Sequence, residues 1–269
     1  MATLKIFGII AGNGVYPRLL AEAARNAGVK KIVAAAFSGE TDPVLAERVD
    51  LIEWMRVGQL NRLLKFFNQN KVHHAIMAGQ IAPKNLFDLR PDLKALMLLS
   101  KLKQRNAESI FGAIANELAK VDVDLLPATT FLEDSVPIAG LIAGAKLRRQ
   151  EEEDVDLGYK IAKEIACLDI GQTVIVKNGT VVAVEALEGT NEAIRRGGAL
   201  AREGAVMVKV AKANQDMRFD VPVIGVETIR VAAEAKLRVI VIEAEKSLLL
   251  ERKAIADLAA QAKLSIIAR

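Results

Sequence analysis

Cysteine, histidine and aromatic residues are all scarce in this chain of 269 residues. The single cysteine, Cys167, excludes any intrachain disulfide and fits a reducing, cytoplasmic compartment. Cys167 itself is expected to be a small buried helix residue rather than a reactive thiol. The only two histidines, His73 and His74, are adjacent. Neighbours in a strand point to opposite faces, so they make no simple two-histidine metal site. No Gly-x-Ser-x-Gly elbow is present either, which argues against a histidine-assisted nucleophile. Aromatics are 4% of residues against 52% hydrophobic overall, so the core must be built from Ala, Val, Ile and Leu. No apolar run reaches the roughly 18 residues of a membrane span. Gly8, Gly12 and Gly14 break the apolar N-terminus before it resembles a signal segment. There is no Lys/Arg tract, and 37 cations against 33 anions leave a net charge of +4. That balance does not indicate nucleic acid. It suits a basic phosphate cleft or attraction to an anionic membrane surface.

What is present is alternation. Leu4–Ala11, Lys31–Phe37, Leu51–Met55 and Ala75–Ala78 read as buried strands. Between and after them, Tyr16–Ala27, Gln59–Asn68, Asp92–Leu102 and Ala107–Lys120 have helical spacing. Strand–helix alternation predicts a parallel sheet with right-handed crossovers, a Rossmann-like α/β domain over residues 1–138. Pro127, Pro137, Gly140 and Gly144 weaken the pattern, and the charge run Arg148–Asp154 reads as a solvated linker or first helical turn. A second α/β domain with a mixed sheet is expected over 139–269. Its signals are a helix near Asp156–Cys167 and a hairpin over Thr173–Val184 about Asn178-Gly179, which suits a type I′ turn. A helix near Asn191–Glu203, strands Val206–Val210 and Leu237–Ile242, and helices near Thr228–Ala235 and Ser247–Ala262 complete it.

Four segments carry candidate chemistry. Gly8-Ile-Ile-Ala-Gly12-Asn13-Gly14-Val-Tyr-Pro17 sits at a strand-to-helix turn, where glycines let backbone N–H groups approach phosphate. It is a defective dinucleotide fingerprint: Pro17 replaces the third glycine, and no acid ends the second strand. A merely tight turn explains it as well. Gly79 and Gln80 follow the fourth strand, with Lys84 and Asn85 beyond, and the carboxyl ends of such strands line ligand crevices. An ordinary strand exit is the alternative. Glu185, Glu188, Gly189 and Thr190 mark a strand end and a helix start, with Thr190 expected as the N-cap and Gly189-Thr190 offering donors to an anion. The alternative is a well-capped helix with surface glutamates. One of Arg195 and Arg196 is expected to face the same site.

The fourth segment, Lys209 to Gly225, packs Lys209, Lys212, Gln215, Asp216, Arg218 and Asp220 between apolar runs. Buried charge is costly unless it meets other charge or a ligand. Mixed cations and carboxylates suit an anionic ligand with a divalent metal, though a surface ion-pair network would account for them too. If extended, Asp216 and Asp220 stand about 13 Å apart at ~3.3 Å per residue. One Mg²⁺ shared by both would then require a turned segment.

Together Gly8–Pro17, Ala78-Gly-Gln-Ile81, Asp169-Ile-Gly-Gln172, Val184-Glu-Ala-Leu-Glu-Gly-Thr190 and Gln215-Asp-Met-Arg-Phe-Asp-Val-Pro-Val-Ile-Gly225 carry a resemblance. The chain resembles the UDP-2,3-diacylglucosamine pyrophosphatases of the LpxI type, enzymes of lipid A synthesis, over nearly its full length. The resemblance implies a Mg²⁺-dependent hydrolase. Water attacks the β-phosphorus, giving UMP and 2,3-diacylglucosamine 1-phosphate (lipid X). It implies that Asp220 or Asp216 is critical, with Arg218 beside them and both aspartates as metal-ligand candidates. Gly12, Asn13, Gly14, Gly79, Gln80, Lys84, Glu188, Gly189, Thr190, Lys209 and Gln215 become candidate substrate contacts. The expected partner is a lipid-linked UDP-sugar, with transient contact at the inner membrane surface and no nucleic acid; a homodimer is left open. The family usually reads Glu-Gly-Thr-Asp, where this chain has Asn191. That departure leaves room for a non-catalytic nucleotide-sugar or lipid binding protein as the alternative.

Overall fold

The computed structural model describes residues 4–81, 91–103, 107–212 and 215–269. These cluster into two compact units. The first holds residues up to Leu132 together with Asp216–Asp220, and the second holds Glu133–Gln215 and Val221–Arg269.

The first unit is built on a five-stranded parallel sheet in the order β3-β2-β1-β4-β5. Its strands are β1 (Ile6–Ala11), β2 (Lys31–Phe37), β3 (Leu51–Met55), β4 (His74–Ala78) and β5 (Asp124–Leu125). A central parallel strand is covered on both faces and reads as a continuous apolar run, as β1 and β2 do. Helix α1 (Tyr16–Asn26) turns Leu20, Ala21 and Ala24 inward; α2 (Leu60–Gln69) buries Leu60, Leu63, Leu64 and Phe67. Two more helices, α3 (Leu93–Lys101) and α4 (Ala107–Ala119), precede β5. Asp92 caps α3 by accepting the Ala95 N–H at 2.9 Å. Strand β5 has two residues, too short for a period to show in sequence.

The second unit has a six-stranded mixed sheet in the order β6-β13-β11-β9-β7-β8. Parallel β9 (Val206–Lys209), β11 (Val239–Ile242) and β13 (Ser265–Ala268) form its centre. Antiparallel β6 (Gly140–Ala143) flanks β13, and the hairpin β7 (Thr173–Lys177)–β8 (Thr180–Val184) flanks β9. Alternation along the strands splits the core. Val174, Val176, Val206, Val208, Val239 and Val241 face α5 (Arg149–Cys167). Ile175, Met207, Ile240, Ile242 and Ile266 face Ile194 of α6 (Thr190–Ala201), Ile229 of α7 (Val226–Glu234) and Ile255 of α8 (Arg252–Gln261). Short β10 (Val223–Ile224) and β12 (Leu248–Leu249) pair apart from the main sheet.

Three expectations need correction. The run Arg148–Asp154 is a first helical turn, one of the two readings open to it, and the helix expected from near Asp156 starts at Arg149. The run opens α5, and Asp154, 2% exposed, accepts the N–H groups of Asn178 (2.9 Å) and Gly179 (2.6 Å) at the hairpin turn. Both turn residues have positive φ (48° and 73°), as a type I′ turn requires. Cys167 is exposed, because it ends α5 on the side away from the sheet contacts. The segment Asp216–Asp220 clusters with the first unit, although its sequence neighbours on both sides belong to the second. The Met217 carbonyl accepts the Ala128 N–H at 2.7 Å, and Phe219 packs on the first unit's core against Phe111, ring centroids 5.8 Å apart.

Candidate functional site

Strands β1 and β4 lie side by side and run parallel, so their carboxyl ends mark the kind of edge where open α/β sheets take ligands. The loops leaving them are joined backbone to backbone. Gly12 N–H donates to Ala78 O (2.7 Å), Asn13 N–H to Gln80 O (2.7 Å) and Gln80 N–H to Asn13 O (3.2 Å). A Cβ on Gly12 would lie 2.6 Å from the Gln80 carbonyl oxygen, and one on Gly79 would lie 2.4 Å from that of Asn13. Both glycines are therefore accounted for by close backbone approach. The N–H groups of Gly12 and Asn13, expected to face phosphate, already have carbonyl acceptors. The Asn13 side chain, Gly14 and Gln80 are exposed at this edge. Lys84 and Asn85 lie outside the described residues.

The Asp216–Asp220 segment is turned, not extended. The N–H groups of Phe219 (3.2 Å) and Asp220 (3.0 Å) both donate to the Asp216 carbonyl. One such turn brings residues four apart to about 5–6 Å between Cβ atoms, in place of the extended spacing. Arg218 clasps Asp216 through both its Nε (2.9 Å to Oδ1) and its Nη2 (2.7 Å to Oδ2). Hydrogen bonding from that guanidinium holds the Asp216 carboxyl below the usual carboxylate range. Among the described residues no three His, Cys, Asp or Glu side chains gather as a metal cage. Mg²⁺ does not need one, because it keeps waters and takes one or two carboxylates plus phosphate oxygens. The turned aspartate pair fits that donor set.

In the second unit, β8 ends beside the start of β7 and β9 ends on its other side. There Lys209 Nζ donates to Thr190 Oγ1 (2.6 Å), and Thr190 Oγ1 donates to Glu185 Oε1 (2.8 Å). Lys209 and Glu185 are each 8% exposed and stand 3.9 Å apart. Burial pushes the Glu185 carboxyl up. The Lys209 charge and the Thr190 hydroxyl outweigh it, leaving the group below its ordinary value. Thr190 is thus not the expected N-cap. Gly189 takes that position at φ 84°, and the Thr190 hydroxyl is spent on the ion pair. Glu188 pairs with Arg196 at 2.5 Å, and Arg196 also donates to Val184 O at 2.7 Å. Lys212 pairs with Asp169, and its N–H donates to Gln215 Oε1 at 2.6 Å. Gln215 Nε2 is buried with no hydrogen-bond partner among the described residues. Such a donor suits an acceptor on a ligand.

The predicted residues therefore fall into two sets. Gly12, Asn13, Gly14, Gly79, Gln80, Asp216, Arg218 and Asp220 belong to the first unit. Glu188, Gly189, Thr190, Lys209 and Gln215 belong to the second. Sequence reasoning missed Glu243 and Lys163. Glu243 follows β11 directly and is 5% exposed. It accepts from Lys163 (2.7 Å), Lys246 (3.0 Å) and the Ala211 N–H (2.8 Å). Lys163 also donates to Ala211 O at 2.9 Å, so the pair pins the chain as it leaves β9. A charge right after an all-apolar strand was the available signal; its partner, 80 residues away, left none.

Two family models match the chain in tandem. One described as the LpxI N-terminal domain covers residues 6–135, and one described as the LpxI C-terminal domain covers 138–267. A relative from Caulobacter vibrioides, UDP-2,3-diacylglucosamine pyrophosphatase LpxI, is 28% identical over 263 residues, 94% of this chain and 93% of its own. Among solved structures, the biotin carboxylase domain dimer of Hydrogenobacter thermophilus 2-oxoglutarate carboxylase aligns at 11% identity and a TM-score of 0.29. That alignment covers 66% of this chain and 35% of that one, and carries no argument. With both domain models matched in order along almost all of its length, the chain belongs to the LpxI family.

Proposed function

We propose that this protein hydrolyses UDP-2,3-diacylglucosamine with the help of Mg²⁺, in lipid A synthesis. Water attacks the β-phosphorus, the bond from that phosphorus to the bridging oxygen breaks, and UMP leaves with that oxygen. The lipid product is 2,3-diacylglucosamine 1-phosphate. The observation that carries this reading is the Asp216–Asp220 turn, with one aspartate clasped by a half-exposed arginine and the other a turn away. The relative from Caulobacter vibrioides supplies the substrate class.

The chain's own groups divide the work. Arg218, with 43% of its side chain exposed, keeps donors for phosphate oxygens beyond those Asp216 uses. Asp216 stays ionised through neutral pH and fixes the guanidinium plane. Asp220 orients the attacking water and accepts its proton. Asp216 and Asp220 would hold the Mg²⁺, which would supply charge neutralisation for the diphosphate and polarisation of the phosphoryl group. Gln215 Nε2, without a hydrogen-bond partner among the described residues, offers a donor to the substrate.

Transient contact with an anionic membrane surface belongs to the same reading. Leu93, Leu96 and Met97 are exposed at i, i+3 and i+4 on α3, followed by exposed Lys101 and Lys103. Among the described residues no helix is long and apolar enough to cross a membrane.

Hydrolysis in ¹⁸O water tests the chemistry: label enters the lipid phosphate, and label in UMP would overturn attack on the β-phosphorus. Asp216→Ala and Asp220→Ala are each expected to slow Mg²⁺-dependent UMP release by about a hundredfold or more while the protein stays folded. Wild-type rates in both would remove the site assignment.

A further inference from the structure

We infer that Tyr16 is a positioning residue for the Asp216–Asp220 turn, acting through Ala128. The phenol of Tyr16 is buried, 6% exposed, and donates to the Ala128 carbonyl. The N–H of the same Ala128 donates to the Met217 carbonyl at 2.7 Å. Both main-chain groups of Ala128 are engaged, so the phenol holds in place the residue whose N–H anchors the turn. Met217 lies inside the turn whose Asp216 carbonyl accepts the N–H groups of Phe219 and Asp220. The other anchor, Phe219 against Phe111, sets where residue 219 sits but not how the Met217 carbonyl is oriented.

Tyr16 is also the first residue of α1, three residues after Asn13 of the joined loop. It therefore ties the sheet's carboxyl edge to the turn within one unit. A buried phenol needs a partner for its hydroxyl, and a phenylalanine would fill the same space without that need. The hydroxyl's place is explained by what Ala128 holds. The catalytic weight of this role rests on the proposed hydrolysis; its structural part does not.

The test compares full-length wild type, Tyr16→Phe and Leu20→Ala. Leu20 is fully buried on the same helix and serves as a stability control. Tyr16→Phe is expected to lower kcat about tenfold with KM changed less than about twofold, since small misplacements of reacting groups cost rate rather than binding. Amide hydrogen exchange at Phe219 and Asp220 is expected to speed up in Tyr16→Phe and not in Leu20→Ala, well below either melting temperature. Replacing Tyr16 with 4-aminophenylalanine, which restores a donor at the ring's end, recovers both readouts. Wild-type kcat and unchanged exchange in Tyr16→Phe overturn the inference, as does an equal effect from Leu20→Ala. If the wild type itself releases no UMP, the proposed function fails, and exchange at Asp220 alone decides the role of Tyr16.

Discussion

At the carboxyl edge of the first sheet, the exits of β1 and β4 are joined by three backbone hydrogen bonds and two glycines, with no side-chain charge among them. At the carboxyl edge of the second sheet, the exits of β8, β9 and β11 are fastened by buried ions: Glu185 with Lys209 through Thr190, and Glu243 with Lys163 and Lys246. The two edges fail in opposite ways. Backbone packed on backbone leaves no room for an added atom. A buried ion network cannot lose an atom without stranding a charge. The first is indifferent to pH, and the second is not.

The largest break is Gly79→Ala. Its Cβ would fall 2.4 Å from the Asn13 carbonyl oxygen, at φ +89°. Left-handed strain and overpacking together cost about 3 kcal/mol or more. Thermal unfolding of Gly79→Ala should show that loss at every pH from 4 to 8. A phosphate-cradling role for this glycine would instead leave stability nearly intact and weaken only substrate binding.

Glu243→Gln comes next. It leaves the Lys163 and Lys246 ammonium groups facing an amide. Breaking a buried pair costs about 3–5 kcal/mol, and the 32% exposure of Lys163 reduces this to about 2 kcal/mol. Burial raises the Glu243 carboxyl, but Lys163 and the Ala211 N–H more than offset it, so the folded value lies below its ordinary 4.5. A depressed carboxyl contributes stability above the unfolded value and loses it as pH falls through the folded one. The melting-temperature gap between wild type and Glu243→Gln should therefore be full above about pH 4.5 and close below it. A gap independent of pH would mean that packing, not charge, fastens this edge.

The same contrast explains what could be read from sequence. A nearly continuous apolar run marked the full extent of β2, and the Asn178-Gly179 pair placed the hairpin. These signals are local, set by burial on both faces or by a turn's φ angles. Strand β6 went unseen because Gly140 and Gly144 bound it like a loop and its four residues are half-exposed at a sheet edge. The Asp216–Asp220 residues were legible as chemistry, since so many charges between apolar strands need an explanation. Their turn was not, because it is imposed by Ala128 and Phe111, each about a hundred residues distant. The glycine motif is legible in the sequence, as a phosphate approach or a merely tight turn. Which backbone approaches it is information that only the neighbouring β4 exit carries.

A smaller change probes the second edge without stranding a charge. Thr190→Val removes the hydroxyl that relays between Lys209 and Glu185, yet leaves those ions close enough to pair. The expected loss is about 1 kcal/mol in urea unfolding, and Thr190→Ser should restore most of it. If Thr190→Ser unfolds like Thr190→Val, the methyl group matters and the relay does not.

The smallest expected effect concerns Asn191, where the family resemblance implies an acid. Asn191 is the second residue of α6, inside the turn whose N–H groups favour negative charge. Asn191→Asp should therefore stabilise the protein. Glu192 already supplies an acid in that turn, and the Glu185 carboxylate touches Thr190 next door. Like-charge repulsion holds the gain to the low end, about 0.3 kcal/mol. Helix stabilisation and metal ligation part at this position. A helix-end role changes melting temperature slightly and leaves the Mg²⁺ dependence of UMP release untouched. A ligand role shifts the Mg²⁺ concentration for half-maximal rate severalfold. The hydroxyl beside it is already committed to a buried ion pair. The expected outcome is accordingly the first, and a shift in the Mg²⁺ curve would overturn the helix-end role.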